Sequence, residues 1–291
     1  MLRVRSYAKI NWTLDALFKR EDGYHELRTI YQTVSLHDHL RISQTPHAIE
    51  IICDDERVPE DETNLAHKAA VLLREAANVK TGARIEIEKR IPVAAGLGGG
   101  SSNAAATLLG LVRLWRVELA EREMIALAAS LGSDVPFFLI GGTALGVGRG
   151  EEVYPIEETV CENLLLVNPG FAVSTATAYG RLSRLTMKDA ARIIPFTLLA
   201  AKAIRELPLA ASNDLEQTVS AAHPEIAEVK RRLLSLGARH ALMSGSGATV
   251  FAVFDNSQMS ERAQFEMRAA GYWSEKASAI NRQQYWSTLF D

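Results

Sequence analysis

The chain has 291 residues, a net charge of −3, 23% charged residues and 47% hydrophobic residues. This balance is typical of a soluble globular protein, and a chain of this length buries a sizeable core as one large domain or two smaller ones. The slightly acidic charge argues against a general basic surface of the kind that holds nucleic acid.

The cysteine content and the apolar segments bear on the cellular location. Cys53 and Cys161 are the two cysteines, and no C-x-x-C pair occurs. This usage predicts a reduced cytosolic protein and argues against a thiolate zinc site. Residues 1–7 lack the apolar core of a signal peptide, and no stretch approaches the roughly 18 apolar residues of a membrane span. We therefore expect a cytoplasmic protein with no membrane partner.

The first half of the chain opens with strand periodicity. Apolar and polar residues alternate over 4–16, and Lys9 and Asn11 share the polar face of this predicted strand. An Asp-Gly pair at 22–23 predicts a turn after it. Further strands are predicted over 29–36, 40–43, 49–53 and 84–88. Helices are predicted over 64–77, from 101 or 102 to about 115, and over 120–131.

The second half begins with a buried strand. The apolar run over 164–167 predicts this strand, and we place a domain boundary near 157–162, which gives domains of 1–160 and 161–291. Helices are then predicted over 215–222 and 224–236, and strands over 241–243 and 249–254. This irregular order of strands and helices predicts an α+β fold rather than a doubly wound α/β sheet.

The strongest chemical signal is a glycine-rich segment over 92–106, which follows a strand and opens an alanine-rich helix. Glycine lets the backbone approach a ligand closely, and a helix N-terminus presents unpaired N–H groups and a positive dipole end. Together these features predict an anion site suited to a polyphosphate. The alternative is a serine-capped turn that binds nothing. The P-loop pattern and the G-x-G-x-x-G pattern of dinucleotide-binding folds are both absent.

Four shorter motifs each allow a structural and a functional interpretation. Residues 244–249 form a tight hairpin or a second small-residue loop that backs onto the first. Asp134 is a helix cap or a general base for an alcohol. Lys9 is a solvated strand residue or a functional cation. The Asp-Gly-Tyr-His-Glu-Leu segment at 22–27 is an exposed hairpin tip or a binding segment. No H-E-x-x-H metal motif and no G-x-S-x-G hydrolase motif occurs.

Taken together, these motifs resemble those of the GHMP small-molecule kinase superfamily. The central segment is similar to the P-x-x-x-G-L-G-x-G-S-S loop of that superfamily. The Asp-Gly-Tyr-His motif at 22–25 is the discriminating one, and it resembles the branch that acts on diphosphocytidyl methylerythritol in the non-mevalonate isoprenoid pathway. The resemblance extends from about residue 7 to residue 254.

The resemblance implies a fold and a reaction. The expected fold is the two-domain α+β GHMP kinase architecture, with an N-terminal domain like ribosomal protein S5 domain 2 and a ferredoxin-like C-terminal domain. The expected reaction transfers the γ-phosphoryl group of ATP, with Mg²⁺, to the 2-hydroxyl of a cytidyl diphosphate alcohol. The metal ligands are unassigned, since Asp134 is the one carboxylate that suggests itself. A monomer and a homodimer both fit.

The resemblance also implies roles for individual residues. Asp134 matches the catalytic base, and Lys9 matches the cation that pairs with it. Tyr24 and Tyr179 match a pair of rings that enclose the cytosine, and His25 matches the residue that reads its edge. Further substrate contacts are expected at Asn11, Gly245, Ser246 and Gly247. Positions on the ATP side are Pro92, Gly96, Leu97, Gly98, Gly99, Gly100, Ser101, Ser102, Asn103, Asn64 and Lys89.

Three other functions stay open on the sequence. A homoserine or mevalonate type of GHMP kinase is disfavoured by the Tyr24-His25 pair. A non-catalytic ligand-binding relative is disfavoured because Lys9 and Asp134 occur together. An RNA-binding module is disfavoured by the acidic balance and the lack of a basic stripe.

Overall fold

The computed structural model describes residues 1–180 and 211–290. The strands are β1 (Leu2–Lys19), β2 (His25–Thr45), β3 (Ile49–Cys53), β4 (Gly82–Glu88), β5 (Thr143–Gly148), β6 (Glu152–Pro155), β7 (Leu164–Asn168), β8 (Ser212–Asn213), β9 (His240–Met243), β10 (Val250–Val253) and β11 (Trp273–Ala277). The helices are α1 (Leu65–Ala76), α2 (Gly99–Trp115), α3 (Glu121–Leu131), α4 (Thr175–Gly180), α5 (Asp214–Ala222), α6 (Pro224–Ser235), α7 (Ser257–Ala269) and α8 (Arg282–Thr288), with a 3₁₀ helix at Pro136–Leu139.

Two long antiparallel strands organise the first sheet. β1 and β2 pair with Lys9 opposite Thr33 and Asn11 opposite Tyr31. Among the described residues this sheet has the order β3-β4-β2-β1-β8, and β5 adds to β2 and β6 to β5. Apolar side chains of α1 and α2 pack against β2 and β4 in one core cluster. Because Ala8, Ile10 and Trp12 of β1 pack against the second half of the chain, the sheet lies between these helices and that half.

The second sheet is a four-stranded antiparallel sheet in the order β11-β7-β10-β9. Strand β7 is buried along its whole length, and its residues are apolar except for Asn168 at its end. Leu164 and Leu166 pack towards the first sheet, where the Trp12 and Phe251 rings meet edge to face at 5.4 Å. The alternate residues of β7 pack against α5, α6 and α7. The two sheets thus share a core, and the predicted α+β class is confirmed.

The sequence misplaces some element boundaries. Strand β2 is continuous, whereas the sequence predicts separate strands over 29–36 and 40–43, because the fully buried Asp38 interrupts the apolar face of the pattern. Helix α2 begins at Gly99, two or three residues before the start predicted at 101 or 102, because the backbone becomes helical within the glycine run. Strands β5 and β6 have no counterpart in the sequence analysis.

The C-terminal segment returns to the first sheet. The Tyr285 hydroxyl donates to the Phe138 carbonyl at 2.5 Å, and the Tyr7 and Thr288 hydroxyls lie 2.6 Å apart. Strand β8 of the second half also pairs with β1. Because these contacts cross residue 160 in both directions, the domain bounds of 1–160 and 161–291 stay a prediction. Within residues 1–180 and 211–290, no helix has the length and apolarity that a membrane span needs.

Candidate active site

A cleft of about 920 Å³ brings together residues from both halves of the chain. This volume is in the range of small-molecule sites. The cleft is lined by most of the predicted site residues, namely Lys9, Asn11, Tyr24, His25, Asn64, Lys89, Pro92, Gly96, Gly98, Gly99, Gly100, Ser101, Asn103, Asp134, Tyr179, Gly245 and Ser246. The predicted residues Leu97, Ser102 and Gly247 are buried behind its wall.

The glycine-rich loop meets the cleft at the start of α2. Gly98 is the N-cap residue, with a φ of 70°, and no side chain caps the helix. The first N–H groups of a helix have no intrahelical acceptor and carry the positive end of its dipole. A Cβ at Gly98 would lie 3.0 Å from Lys9 Cγ and 3.0 Å from the Phe138 ring. The loop therefore presents backbone donors to an anion directly beside Lys9.

The second small-residue loop contacts the first, which is one of the two arrangements that the sequence allows. The Ser244 hydroxyl donates to the Gly96 carbonyl at 3.0 Å. A Cβ at Gly96 would lie 2.2 Å from the Ser244 carbonyl oxygen, so the two backbones are in direct contact. The Asn213 side-chain amide donates to the Gly245 carbonyl at 2.8 Å. Residues of the second half of the chain thus hold the glycine-rich loop in place.

A buried ion pair fixes the segment that leads into the loop. Lys89 pairs with Asp38, which has no exposed surface. Asp38 also accepts hydrogen bonds from the Asn103 side chain at 2.9 Å and from the backbone N–H groups of Arg90 and Ile91 at 2.8 Å each. Lys89 and Asn103 therefore line the cleft while their polar groups are engaged in this network. In the sequence, Asp38 can be recognised as an acidic residue on the otherwise apolar face of β2, which indicates a buried charge with a partner.

Three predicted ATP-side residues have partners within the fold. The Ser102 hydroxyl accepts a hydrogen bond from Ser6 at 2.7 Å, so it points into the core rather than into the cleft. Asn64 caps α1. The Leu97 carbonyl accepts from the Lys9 N–H at 3.0 Å. These residues hold the loop and its neighbours in place.

The most polar point of the cleft is the pair formed by Lys9 and Asp134. Lys9 Nζ donates to Asn11 Oδ1 at 2.8 Å and lies 3.4 Å from Asp134 Oδ2. Lys9 is 5% exposed and Asp134 is 31% exposed. Asp134 is not a helix cap, because Val135 has that position in the 3₁₀ helix. A carboxylate that is open to the cleft and held beside a buried cation is suited to accept a proton from an alcohol.

Tyr31, which no sequence motif singles out, contacts this pair. Its hydroxyl donates to Asp134 Oδ1 at 3.0 Å. Burial, reinforced by the charge of Asp134, raises the pKa of Tyr31 well above its ordinary value, so its hydroxyl stays protonated. Tyr31 could be identified from its pairing opposite Asn11, but this pairing depends on the register of β1 and β2.

Aromatic side chains line another part of the cleft. The His25 and Tyr179 rings stack at 5.5 Å, whereas the Tyr24 ring lies 4.9 Å from the guanidinium of Arg149. Partial burial, followed by the charge of Lys19, lowers the pKa of His25, so the imidazole is neutral at pH 7. Burial also raises the pKa of Tyr179. This group offers rings for stacking on a planar base and a neutral imidazole for hydrogen bonding. No sequence motif points to Arg149.

Within residues 1–180 and 211–290, the acidic and imidazole side chains do not form a separate metal centre. In the part of the chain that the structure describes, no group of three or more His, Cys, Asp or Glu residues is placed to hold a metal ion. Ser101 and Asp134 nevertheless provide oxygen atoms on the cleft wall. A Mg²⁺ ion that arrives with nucleotide phosphates needs one or two protein oxygens, so these residues fit such an ion.

Two family patterns match this sequence. The GHMP kinases N terminal domain matches residues 64–142, and the GHMP kinases C terminal pattern matches residues 197–272. A 4-diphosphocytidyl-2-C-methyl-D-erythritol kinase of Bacillus cytotoxicus is 44% identical over 269 residues, which cover 90% of this chain and 91% of that protein. The kinase of the same name from Syntrophus aciditrophicus is 39% identical over 274 residues, with 94% and 97% covered.

Solved structures agree with these matches. A crystal structure of 4-(cytidine 5'-diphospho)-2C-methyl-D-erythritol kinase has a TM-score of 0.77 and 35% identity, and covers 96% of this chain and 100% of that chain. A homoserine kinase from Cytophaga hutchinsonii has a TM-score of 0.72 at 19% identity over 97% and 96% of the chains, which shows a common fold. The chain therefore belongs to the 4-diphosphocytidyl-2-C-methyl-D-erythritol kinase family of the GHMP kinases, which are ATP-dependent small-molecule kinases.

Proposed function

We propose that this chain transfers the γ-phosphoryl group of ATP to the 2-hydroxyl of 4-diphosphocytidyl-2-C-methyl-D-erythritol, a step in the formation of isoprenoid precursors. One observation carries the proposal. One cleft holds the Lys9–Asp134 pair, the glycine-rich loop and the aromatic group around His25. The loop also contacts Lys9. The cleft therefore offers one wall suited to a donor phosphate, another suited to a cytidyl acceptor, and a carboxylate that can accept the proton.

On the nucleotide side, the first turn of α2 binds the phosphates through backbone N–H groups of Gly99, Gly100 and Ser101. Their charge is matched by the positive end of the helix dipole. Phosphoryl transfer depends mainly on alignment and on stabilising charge at the transferred group. The Ser101 hydroxyl and the Asp134 carboxylate, both on the cleft wall, would hold a Mg²⁺ ion that arrives with the nucleotide, and the ion would supply further positive charge at the phosphate oxygens.

On the acceptor side, Asp134 is the general base. Its carboxylate takes the proton of the 2-hydroxyl as that oxygen forms a bond to the γ-phosphorus and the bond to the leaving ADP breaks. Lys9, almost fully buried beside Asp134, balances the negative charge that develops. Asn11 holds the Lys9 ammonium in place through the 2.8 Å hydrogen bond.

The cytidyl group is recognised by the aromatic residues. In the proposed complex the cytosine stacks between Tyr24 and Tyr179, and stacking on a base contributes about 1–3 kcal/mol. A neutral His25 has one donor and one acceptor nitrogen, which match the donor and acceptor on the edge of cytosine. Ser246 and Gly245 form the nearby wall. Cys53 and Cys161 are both free thiols, which suits the reducing cytoplasm where we place the reaction.

The test is a direct assay with a panel of acceptors. The protein is incubated with Mg·ATP and the diphosphocytidyl substrate, ADP is measured by a coupled assay, and ³¹P NMR identifies a new phosphomonoester. Homoserine, mevalonate and methylerythritol without the cytidyl group serve as matched acceptors. We expect kcat/KM for the cytidyl substrate to exceed that for the bare polyol by about tenfold to a hundredfold, the equivalent of the stacking energy. Faster turnover of mevalonate or homoserine would contradict the proposal.

A further inference from the structure

Tyr31 contacts both members of the Lys9–Asp134 pair. Its hydroxyl donates to one carboxylate oxygen of Asp134 at 3.0 Å, while Lys9 lies 3.4 Å from the other oxygen. The Lys9 ammonium is also 5.7 Å from the centre of the Tyr31 ring. The two oxygens of Asp134 are therefore held from different sides, one by a neutral donor and one by a cation.

The Tyr31 ring occupies a slot that glycines leave open. A Cβ at Gly146 would lie 2.5 Å from the ring edge, and a Cβ at Gly150 would lie 2.5 Å from its hydroxyl. The ring also stacks on Phe137 at 4.8 Å, three residues after Asp134. Tyr31 is 2% exposed. Its position is thus set by the fold and does not depend on a bound substrate.

The hydroxyl of Tyr31 is a constant hydrogen-bond donor. Its raised pKa keeps the proton on the oxygen through the working range of the enzyme. The Gly150 carbonyl lies 3.4 Å away and is the weaker acceptor, since a hydrogen bond to an ionised carboxylate is shorter and stronger. The proton therefore points at Asp134.

The distance between Lys9 and Asp134 indicates what the hydrogen bond from Tyr31 to Asp134 does. A lysine–carboxylate hydrogen bond is normally about 2.7–2.9 Å long, so the 3.4 Å separation leaves the ion pair loose. A carboxylate that closes fully on a cation is a weaker base, because the cation favours its charged form. We infer that Tyr31 is a positioning residue, which holds Asp134 back from Lys9 and turns its open edge towards the acceptor hydroxyl. The inference rests on the proposed role of Asp134 as the base.

Tyr31→Phe tests the inference, because phenylalanine fills the same slot and removes the hydroxyl alone. We expect kcat to fall by about tenfold to a hundredfold, the equivalent of one hydrogen bond to a charged group, while KM for each substrate stays within about twofold. Tyr7→Phe is the matched control. It removes another buried tyrosine hydroxyl, which bonds Thr288 outside the cleft, and is expected to keep the wild-type kcat.

A crystal structure of Tyr31→Phe gives a readout that needs no turnover. We expect the Asp134 carboxylate to rotate and its distance to Lys9 to shorten from 3.4 Å to an ordinary ion-pair distance. An unchanged carboxylate, an unchanged kcat, or a loss confined to KM of the acceptor would overturn the inference. Inactivity of the wild-type protein on the diphosphocytidyl substrate would instead reject the proposed function, and the structure of the variant would still decide the role of Tyr31.

Discussion

The contact between the two small-residue loops predicts opposite effects for two glycine substitutions. Gly96 has a φ of 77°, and a Cβ there would lie 2.2 Å from the Ser244 carbonyl oxygen and 2.9 Å from that of Gly247. The left-handed backbone alone costs an alanine about 1–2 kcal/mol. The overlap is with backbone atoms, which cannot move aside by changing a rotamer. We therefore expect Gly96→Ala to lower the free energy of unfolding by about 3 kcal/mol or more.

Gly100→Ala is the matched substitution four residues later. Gly100 is in the first turn of α2, and among the described residues a Cβ there would meet only Leu65 Cδ1, at 3.7 Å, which is an ordinary contact. Because alanine is a better helix former than glycine, we expect this variant to be as stable as the wild type or more stable by up to about 1 kcal/mol.

Urea unfolding of both variants, followed by circular dichroism, measures this difference directly. For Gly96→Ala, a coupled kinase assay at varied ATP should also show a KM for ATP raised by about tenfold or more, since the loop must move away from its phosphate-binding position. The reasoning is refuted if Gly96→Ala unfolds at the wild-type urea concentration, or if both substitutions destabilise the protein equally.

Two further predictions concern the aromatic part of the cleft. Tyr24→Ala should raise KM for the diphosphocytidyl substrate by about tenfold and leave KM for ATP unchanged, because one stacking surface is lost; an unchanged KM for the cytidyl substrate in steady-state assays would remove Tyr24 from the pocket. The lowered pKa of His25 keeps its imidazole neutral above pH 6.5. As the pH falls through that pKa, protonation removes the acceptor nitrogen, so kcat/KM for the cytidyl substrate should decline on the acid side. His25→Gln, which does not titrate, should lose that decline, and an identical pH profile in this variant would contradict the role of His25.

The sequence predicts those parts of the site that depend on short stretches of chain. The glycine-rich loop is recognisable from its composition alone, and in the structure it lies at the start of α2 beside Lys9. The alternation of β1 puts Lys9 and Asn11 on one face, and they are joined by a 2.8 Å hydrogen bond. Hydrophobic periodicity and composition are local properties of the chain, so they can be used without knowledge of the tertiary fold.

Other parts of the site depend on how distant segments pair. Tyr31 reaches Asp134 only because β2 pairs with β1 in one particular register. Asp38 looks like a break in an apolar strand until its partner Lys89, 51 residues later, is brought against it. A one-residue shift in register would turn each of these side chains to the other face of the sheet. The pairing register cannot be read from a single strand.

The role of the C-terminal tail is not predictable from the sequence for a related reason. It carries no chemical motif, yet Tyr285 packs under the 3₁₀ helix that follows Asp134 and bonds to Phe138. The ring of Tyr285 lies against Gly141, where an added Cβ would be 2.4 Å from the ring. A glycine in a loop and a tyrosine near the end of the chain become meaningful only as a pair.

The role of Asp134 as the base is the centre of this account, and the most direct measurement is single-turnover phosphoryl transfer by Asp134→Asn. Asparagine has the same shape and still accepts the hydrogen bond from Tyr31, but it cannot take the proton of the acceptor hydroxyl. We predict that the rate falls by about 10²–10⁴-fold, while the affinity for ATP measured by calorimetry stays within about threefold of the wild type. A rate within about threefold of the wild type would contradict the mechanism.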